Sequence, residues 1–246
     1  MRTAFLVDGG FFLHRYQALR PGRSPRDAAA DLHWMCNQHL LERRKSNAGA
    51  ANQQTQRRRR SNLYRIFYYD CPPLTKKAHH PITGKPVDFS KTPLAMWRQA
   101  FHEELKKLRK VALRLGYLND RSGSWTLHTG AMKRLLSGAT PVDQLTEGDL
   151  KYDVRQKGVD MRIGLDIASM AFKQQVDQMV LVSGDSDFVP AAKLARREGV
   201  DFVLDPMWAP IRSDLHEHID GLRSVISRPT TKDGSDRNPG EASPDD

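Results

Sequence analysis

Apolar residues come in short, nearly continuous runs at four places along the chain: Thr3 to Val7, Tyr64 to Tyr69, Gln178 to Val182 and Val200 to Leu204. Each run is rich in β-branched and aromatic residues and gives way to polar or turn residues, which predicts strands. Because the runs are continuous and do not alternate, the strands should be covered on both faces, as in a parallel sheet. Between them the spacing becomes helical. From Leu94 to Leu115, the residues Trp97, Phe101, Leu105, Leu108, Ala112 and Leu115 recur at helical intervals while lysines and arginines fill most of the remainder, so one long helix stopped by Gly116 is expected. A second helix is expected from near Asp160, carrying Met161, Leu165, Ala168 and Phe172 on one stripe. A third should run from about Phe188 to Glu198 and end at Gly199. Strands alternating with helices predict an open α/β sheet.

Two stretches break this pattern. Residues 43–61, RRKSNAGAANQQTQRRRRS, are polar and low in complexity, with Arg57, Arg58, Arg59 and Arg60 uninterrupted; they read as a mobile insertion between the first helical region and the second strand. From Arg228 onward, RPTTKDGSDRNPGEASPDD holds no core-forming residue and is expected to be a disordered tail over 228–246. The remainder, 1–227, is taken as one domain. The stretch from Asn119 to Gln156 places itself only as an edge strand and a long connection.

Composition narrows the function classes. With 246 residues, 39% of them hydrophobic, the chain can bury its own core. Two cysteines, Cys36 and Cys71, offer no disulfide framework, and the apolar run Ala4 to Val7 is too short for a signal peptide or membrane helix, so a cytoplasmic protein without membrane contact is expected. A net charge of +10 makes nucleic acid the first partner to consider.

Carboxylates follow the strand-like runs: Asp8 after the first, Asp70 after RIFYY, Asp185 and Asp187 after MVLVS, and Asp205 after VDFVL. In an open parallel sheet the loops beyond the carboxyl ends of the strands converge, so these acids are expected on one edge. Clustered carboxylates repel one another and call for protons or cations, and a hard divalent ion such as Mg²⁺ or Mn²⁺ takes oxygen ligands together with substrate phosphate. Structural readings stand beside this one. Asp187 precedes FVPAAKLARREG, with Pro190 tolerable in a first helical turn, and suits an N-cap; Asp160 suits the cap of the second helix; Asp70 before CPP and Asp205 before Pro206 suit turns. Asp166 is turned about 240° from Asp160 around a helix, so the two cannot both point straight into one small site. GxGxxG and P-loop patterns are absent, and the histidines lack zinc-site spacing.

The motifs FLVDGG, IFYYD, QKGVDMRIGLDI and VLVSGDSDFVPAAKLARREGVDFVL resemble the NYN domain, in its LabA-like bacterial branch, within the PIN-like nuclease superfamily. The resemblance extends over most of 1–227. It implies a PIN-like three-layer α/β/α sandwich with a mainly parallel central sheet, and a Mg²⁺- or Mn²⁺-dependent ribonuclease. The family's acidic positions carry over onto Asp8, Asp160, Asp185 and Asp187, with Asp166, the aspartate that commonly follows the KGVD motif, a weaker metal-site candidate; Asp70, by its position after the second strand alone, is another weaker one. One departure stands out: where the family often reads Asp-Gly-x-Asn, this chain has Asp8, Gly9, Gly10 and Phe11. Lys157, Arg162 and the run Arg57 to Arg60 are the expected RNA phosphate contacts. Two other classes compete. One is an RNA-binding or regulatory module with weak or no catalysis, suggested by the missing asparagine and the positive charge. The other is a phosphatase of the haloacid-dehalogenase type, disfavoured because Gly10 stands where its second aspartate belongs. Oligomeric state and protein partners are left open.

Overall fold

The computed structural model describes residues 1–41 and 61–228. The basic run Arg57 to Arg60 and nearly all of both the insertion and the tail lie outside the described residues. In chain order the elements are β1 (Arg2–Asp8), α1 (Gly9–Leu19), α2 (Pro25–His39), β2 (Asn62–Asp70), β3 (Lys77–His79), β4 (Pro86–Asp88), α3 (Pro93–Lys107), β5 (Val111–Leu115), β6 (Tyr117–Leu127), α4 (Thr129–Leu136), β7 (Leu150–Lys157), α5 (Val159–Phe172), β8 (Gln178–Val182), α6 (Val189–Arg197), β9 (Asp201–Leu204), α7 (Ser213–Glu217) and β10 (Gly221–Leu222). The chain divides into two compact units. The first comprises 1–70, 101–114 and 159–246; the second comprises 71–100 and 115–158.

The first unit is built on a six-stranded sheet of order β10-β9-β8-β1-β2-β5, flanked by helices. β1 runs parallel to β2 and β8, and β9 runs parallel to β8 and β10. The four predicted strands are β1, β2, β8 and β9, within one or two residues at each end. Their continuous apolar runs are buried as expected: Ala4, Phe5, Leu6 and Val7 in β1, and Met179, Val180, Leu181 and Val182 in β8. Each of the larger of these side chains contributes about 1.5–3 kcal/mol relative to its exposed state. Phe12, Tyr68 and Phe101 extend this core through ring contacts 5.5–6.3 Å between centroids.

Two helical expectations change. The long helix from Leu94 ends at Lys107, not at Gly116, because Lys110 takes a left-handed φ of 64° and Val111–Leu115 joins the sheet edge as β5. VALRL satisfies an alternating pattern as well as a helical one, and sheet pairing decides between them. In α5 the stripe of Met161, Leu165 and Phe172 faces outward, while Val159, Ile163, Ile167 and Met170 form the buried side. The helix is apolar nearly all round, so spacing alone does not identify its inner face.

The second unit holds the β3–β4 hairpin, α4 and an antiparallel ribbon of β6 and β7. Residues expected to form an edge strand and a long connection are this ribbon with a helix between its strands. Its inner face carries Trp125 and Tyr152, which join His80 and Phe89 in an aromatic cluster with centroids 4.6–5.4 Å apart along the chain His80, Trp125, Tyr152, Phe89. No helix among the described residues is long and apolar enough to cross a membrane.

Candidate active site

β1 sits at the point where chain order reverses: β2 lies on one side of it, β8 on the other. Loops leaving the carboxyl ends of neighbouring strands in opposite directions open a crevice at such a switch point, the usual ligand position in open α/β sheets. Asp8 ends β1, and Ser183 to Asp187 follow β8.

Asp8 is held from two sides. It caps α1, its Oδ1 accepting from the backbone N–H of Phe11 at 3.1 Å, and its Oδ2 accepts from the Ser183 hydroxyl at 3.3 Å. The cap depends on Gly9. A Cβ at that position would stand 2.5 Å from the Tyr69 carbonyl oxygen and 2.8 Å from the Tyr68 ring, so only glycine lets α1 start this close to β2. Fully buried Ser183 also accepts from the N–H of Asp185 at 3.2 Å and so ties the two acidic loops together. Asp185 in turn caps the short 3₁₀ turn Ser186–Phe188, its Oδ1 accepting from the N–H of Asp187 at 2.9 Å.

That assignment corrects the expected cap. Asp187 does not cap the following helix: α6 begins behind Phe188 with no side-chain cap, with Pro190 in its first turn as anticipated. The carboxylate two residues earlier takes the capping role because the chain first makes a 3₁₀ turn. Asp160 likewise stands within the first turn of α5, beyond the cap position.

The four aspartates form one electrostatic group. Burial, opposed by the Phe11 N–H and reinforced by the charge of Asp160, raises the Asp8 pKa above its ordinary 3.8. Partial burial and the charges of Asp185 and Asp187 raise Asp160 in the same direction. Among the described residues none of the four has an ion pair. Asp8 is half-buried; Asp160, Asp185 and Asp187 are exposed. The donor set is all oxygen and anionic, which fits a hard divalent ion. No group of three His, Cys, Asp or Glu side chains among the described residues forms a ready-made cage.

The remaining candidates fall elsewhere. Asp166 accepts from the Tyr69 hydroxyl at 2.8 Å and pairs with Arg114 at 3.2 Å. Asp70 is buried, 2.8 Å from His102 Nε2; Asp205 is buried in the same relation to His39. Arg162 is exposed on α5, and Lys157 is exposed at the end of β7 in the second unit. Two contributors escaped sequence reasoning. Ser183 lies inside the acidic motif but carries no signal of its own. Phe11, noted only as a missing asparagine, lays its ring on the Gly184 backbone, 2.9 Å from where a Cβ would be.

Comparison with known proteins adds a family. A sequence model of the NYN domain matches residues 87–213, which includes Asp160, Asp185 and Asp187 and leaves Asp8 outside. No curated protein matches. A crystal structure of a protein of unknown function from Vibrio parahaemolyticus aligns over 91% of this chain and 92% of its own, at 15% identity and a TM-score of 0.44.

Proposed function

The chain belongs to the NYN domain family, of the PIN-like nuclease superfamily, and on that premise we propose that it is a metal-dependent ribonuclease that cleaves RNA internally, with Asp8, Asp160, Asp185 and Asp187 as its catalytic carboxylates. What supports the proposal is that Asp160 lies within electrostatic reach of Asp8, Asp185 and Asp187 beside the β1/β8 switch point, and that among the described residues none of the four has an ion pair. A phosphodiester is itself an anion, so such a site repels its substrate until a positive ion intervenes. Bound there, Mg²⁺ or Mn²⁺ would polarise the phosphoryl oxygens and acidify a water.

The protein's own groups do the rest. Phe11 N–H and the Ser183 hydroxyl fix both oxygens of Asp8, so its orientation is set before substrate arrives. Asp185 and Asp187 hold their loop in a tight turn, presenting two charges toward Asp160. Arg162, in the same helical turn as Asp160, is placed to contact a flanking phosphate. Circular RNA tests the assignment, because only internal cleavage linearises it. Product should require Mn²⁺ or Mg²⁺ and fall at least about a hundredfold in Asp185→Asn. Cleavage surviving both chelation and the substitution would overturn it.

A second reading rests on Phe11. Its ring on Gly184 puts an apolar surface where the family often has an amide, which suits an RNA-binding module with weak or no catalysis. Salt-sensitive RNA binding with no metal-dependent product on any RNA would favour it.

A further inference from the structure

The β6–β7 ribbon has two unlike faces. Side chains alternate along a strand, and directly opposed residues share a face. Tyr152 lies opposite Trp125, and Leu150 opposite Leu127, on the side that closes the aromatic cluster. The other side carries Lys151, Asp153, Arg155 and Lys157 of β7, with Tyr117 opposite Lys157 and Asn119 opposite Arg155. All four charged residues are exposed, and Tyr117 is 58% exposed.

Several cations elsewhere in the same unit are paired. Lys77 pairs with Asp88, Lys85 with Glu147 and Arg134 with Asp149. Among the described residues, Lys151, Arg155 and Lys157 have no acidic partner, although Asp153 stands between them on the same face. Alternate residues of a strand are about 6.8 Å apart. Arg155 and Lys157 stand one such interval apart, close to the spacing of successive phosphates along an extended nucleic-acid strand, Lys151 lies two intervals from Arg155 across Asp153, and the exposed Tyr117 offers a ring on which a base can stack.

We infer that this outer face of the β6–β7 ribbon is a docking surface for single-stranded RNA, with Lys151, Arg155 and Lys157 tracking phosphates and Tyr117 stacking a base. The inference rests on the ribonuclease reading for the identity of its ligand, and on the ribbon alone for its location. The contacts carry no sequence information, so binding is salt-dependent and tolerant of sequence.

The test is fluorescence anisotropy of the full chain with a labelled 20-nucleotide single-stranded RNA in EDTA, over a range of salt. The triple variant Lys151→Gln, Arg155→Gln, Lys157→Gln should lose at least tenfold in affinity, and the slope of log affinity against log salt should drop by about 2. Tyr117→Ala should lose about fivefold or more. Asp153→Asn should bind more tightly than the unsubstituted chain. Exchanging lysine for arginine at 151 and 157 should leave binding intact, which a merely structural role for those side chains does not predict. If RNA binding depends on the triple variant but no condition gives cleavage, the surface stands and the nuclease reading falls. If the unsubstituted chain binds and cleaves RNA and the triple variant matches it in affinity and salt slope, the surface falls and the nuclease reading stands. Failure of the unsubstituted chain to bind RNA, or equal affinity for polyglutamate at the same salt, overturns the docking surface.

Discussion

Aspartates stand after four strands of the central sheet, yet the structure treats them in two ways. At the ends of β2 and β9, Asp70 and Asp205 are buried, each 2.8 Å from a buried histidine, His102 and His39. Asp205 also accepts from the N–H of Met207 at 2.8 Å and so fixes the turn that leaves β9. At the ends of β1 and β8, Asp8, Asp185 and Asp187 lie within electrostatic reach of Asp160, and among the described residues none of the four has an ion pair. The first pair of carboxylates is consumed by the fold. The second group costs the fold energy, because like charges are gathered and partly desolvated, and hydrogen bonds such as those from Phe11 N–H and Ser183 to Asp8 offset only part of that cost. Position after a strand is thus common to both sets, and the partner of the carboxylate separates a structural acid from one available for chemistry.

The contrast is broken most forcefully at Asp205. Asp205→Ala leaves His39 without its acceptor and the Met207 N–H unpaired inside the protein, so a loss of about 3–5 kcal/mol is expected in urea unfolding. RNA cleavage measured well below the unfolding midpoint should persist. Near-normal stability combined with lost cleavage would place Asp205 with the chemical set and erase the distinction.

Gly9→Ala comes next in size. Its Cβ would meet the Tyr69 carbonyl oxygen, backbone that cannot swing aside, so α1 must move and carry Asp8 with it. About 1–3 kcal/mol of stability should be lost, together with metal-dependent cleavage. Gly184→Ala is the milder companion, since it meets only the Phe11 ring, the far end of a rotatable side chain. If Gly184→Ala proved the more damaging, the Phe11 ring would be a fixed part of the site.

How far the sequence foretold this divides along the same line. β1, β2, β8 and β9 were legible because strands buried on both faces need unbroken apolar runs, and FLVDGG and VSGDSD were legible because they follow those runs. Val111–Leu115 was not, since VALRL satisfies both periods and only the free edge of β2 decides. Nor was the outward stripe of α5, where apolar residues occur on both sides of the helix. The histidine partners of Asp70 and Asp205 lie 32 and 166 residues away, beyond any local signal. The helix-cap alternative for Asp187 fails because the intervening 3₁₀ turn, which leaves no trace in composition, gives a capping role to Asp185.

The smallest expected effect sharpens the comparison most, because its sign is the reverse of an ordinary core substitution. Asp8 has a folded pKa above 3.8, so between that value and neutrality the native chain binds protons that the unfolded chain has released. Linkage then makes stability fall as pH rises through this window: the favourable contribution is complete below 3.8 and gone above the folded pKa. Asp8→Asn removes the charge while an amide oxygen still accepts from Phe11 N–H, so the cap survives. At pH 7 without metal the variant should therefore be more stable, by about 0.5–2 kcal/mol, while cleavage is lost. The gain should vanish below pH 3.8, and Mn²⁺ should raise the unfolding temperature of the unsubstituted chain more than that of the variant. An equal gain at both pH values would trace the effect to packing, and a loss at pH 7 would mean that Asp8, like Asp205, is bound into the fold by a favourable partner.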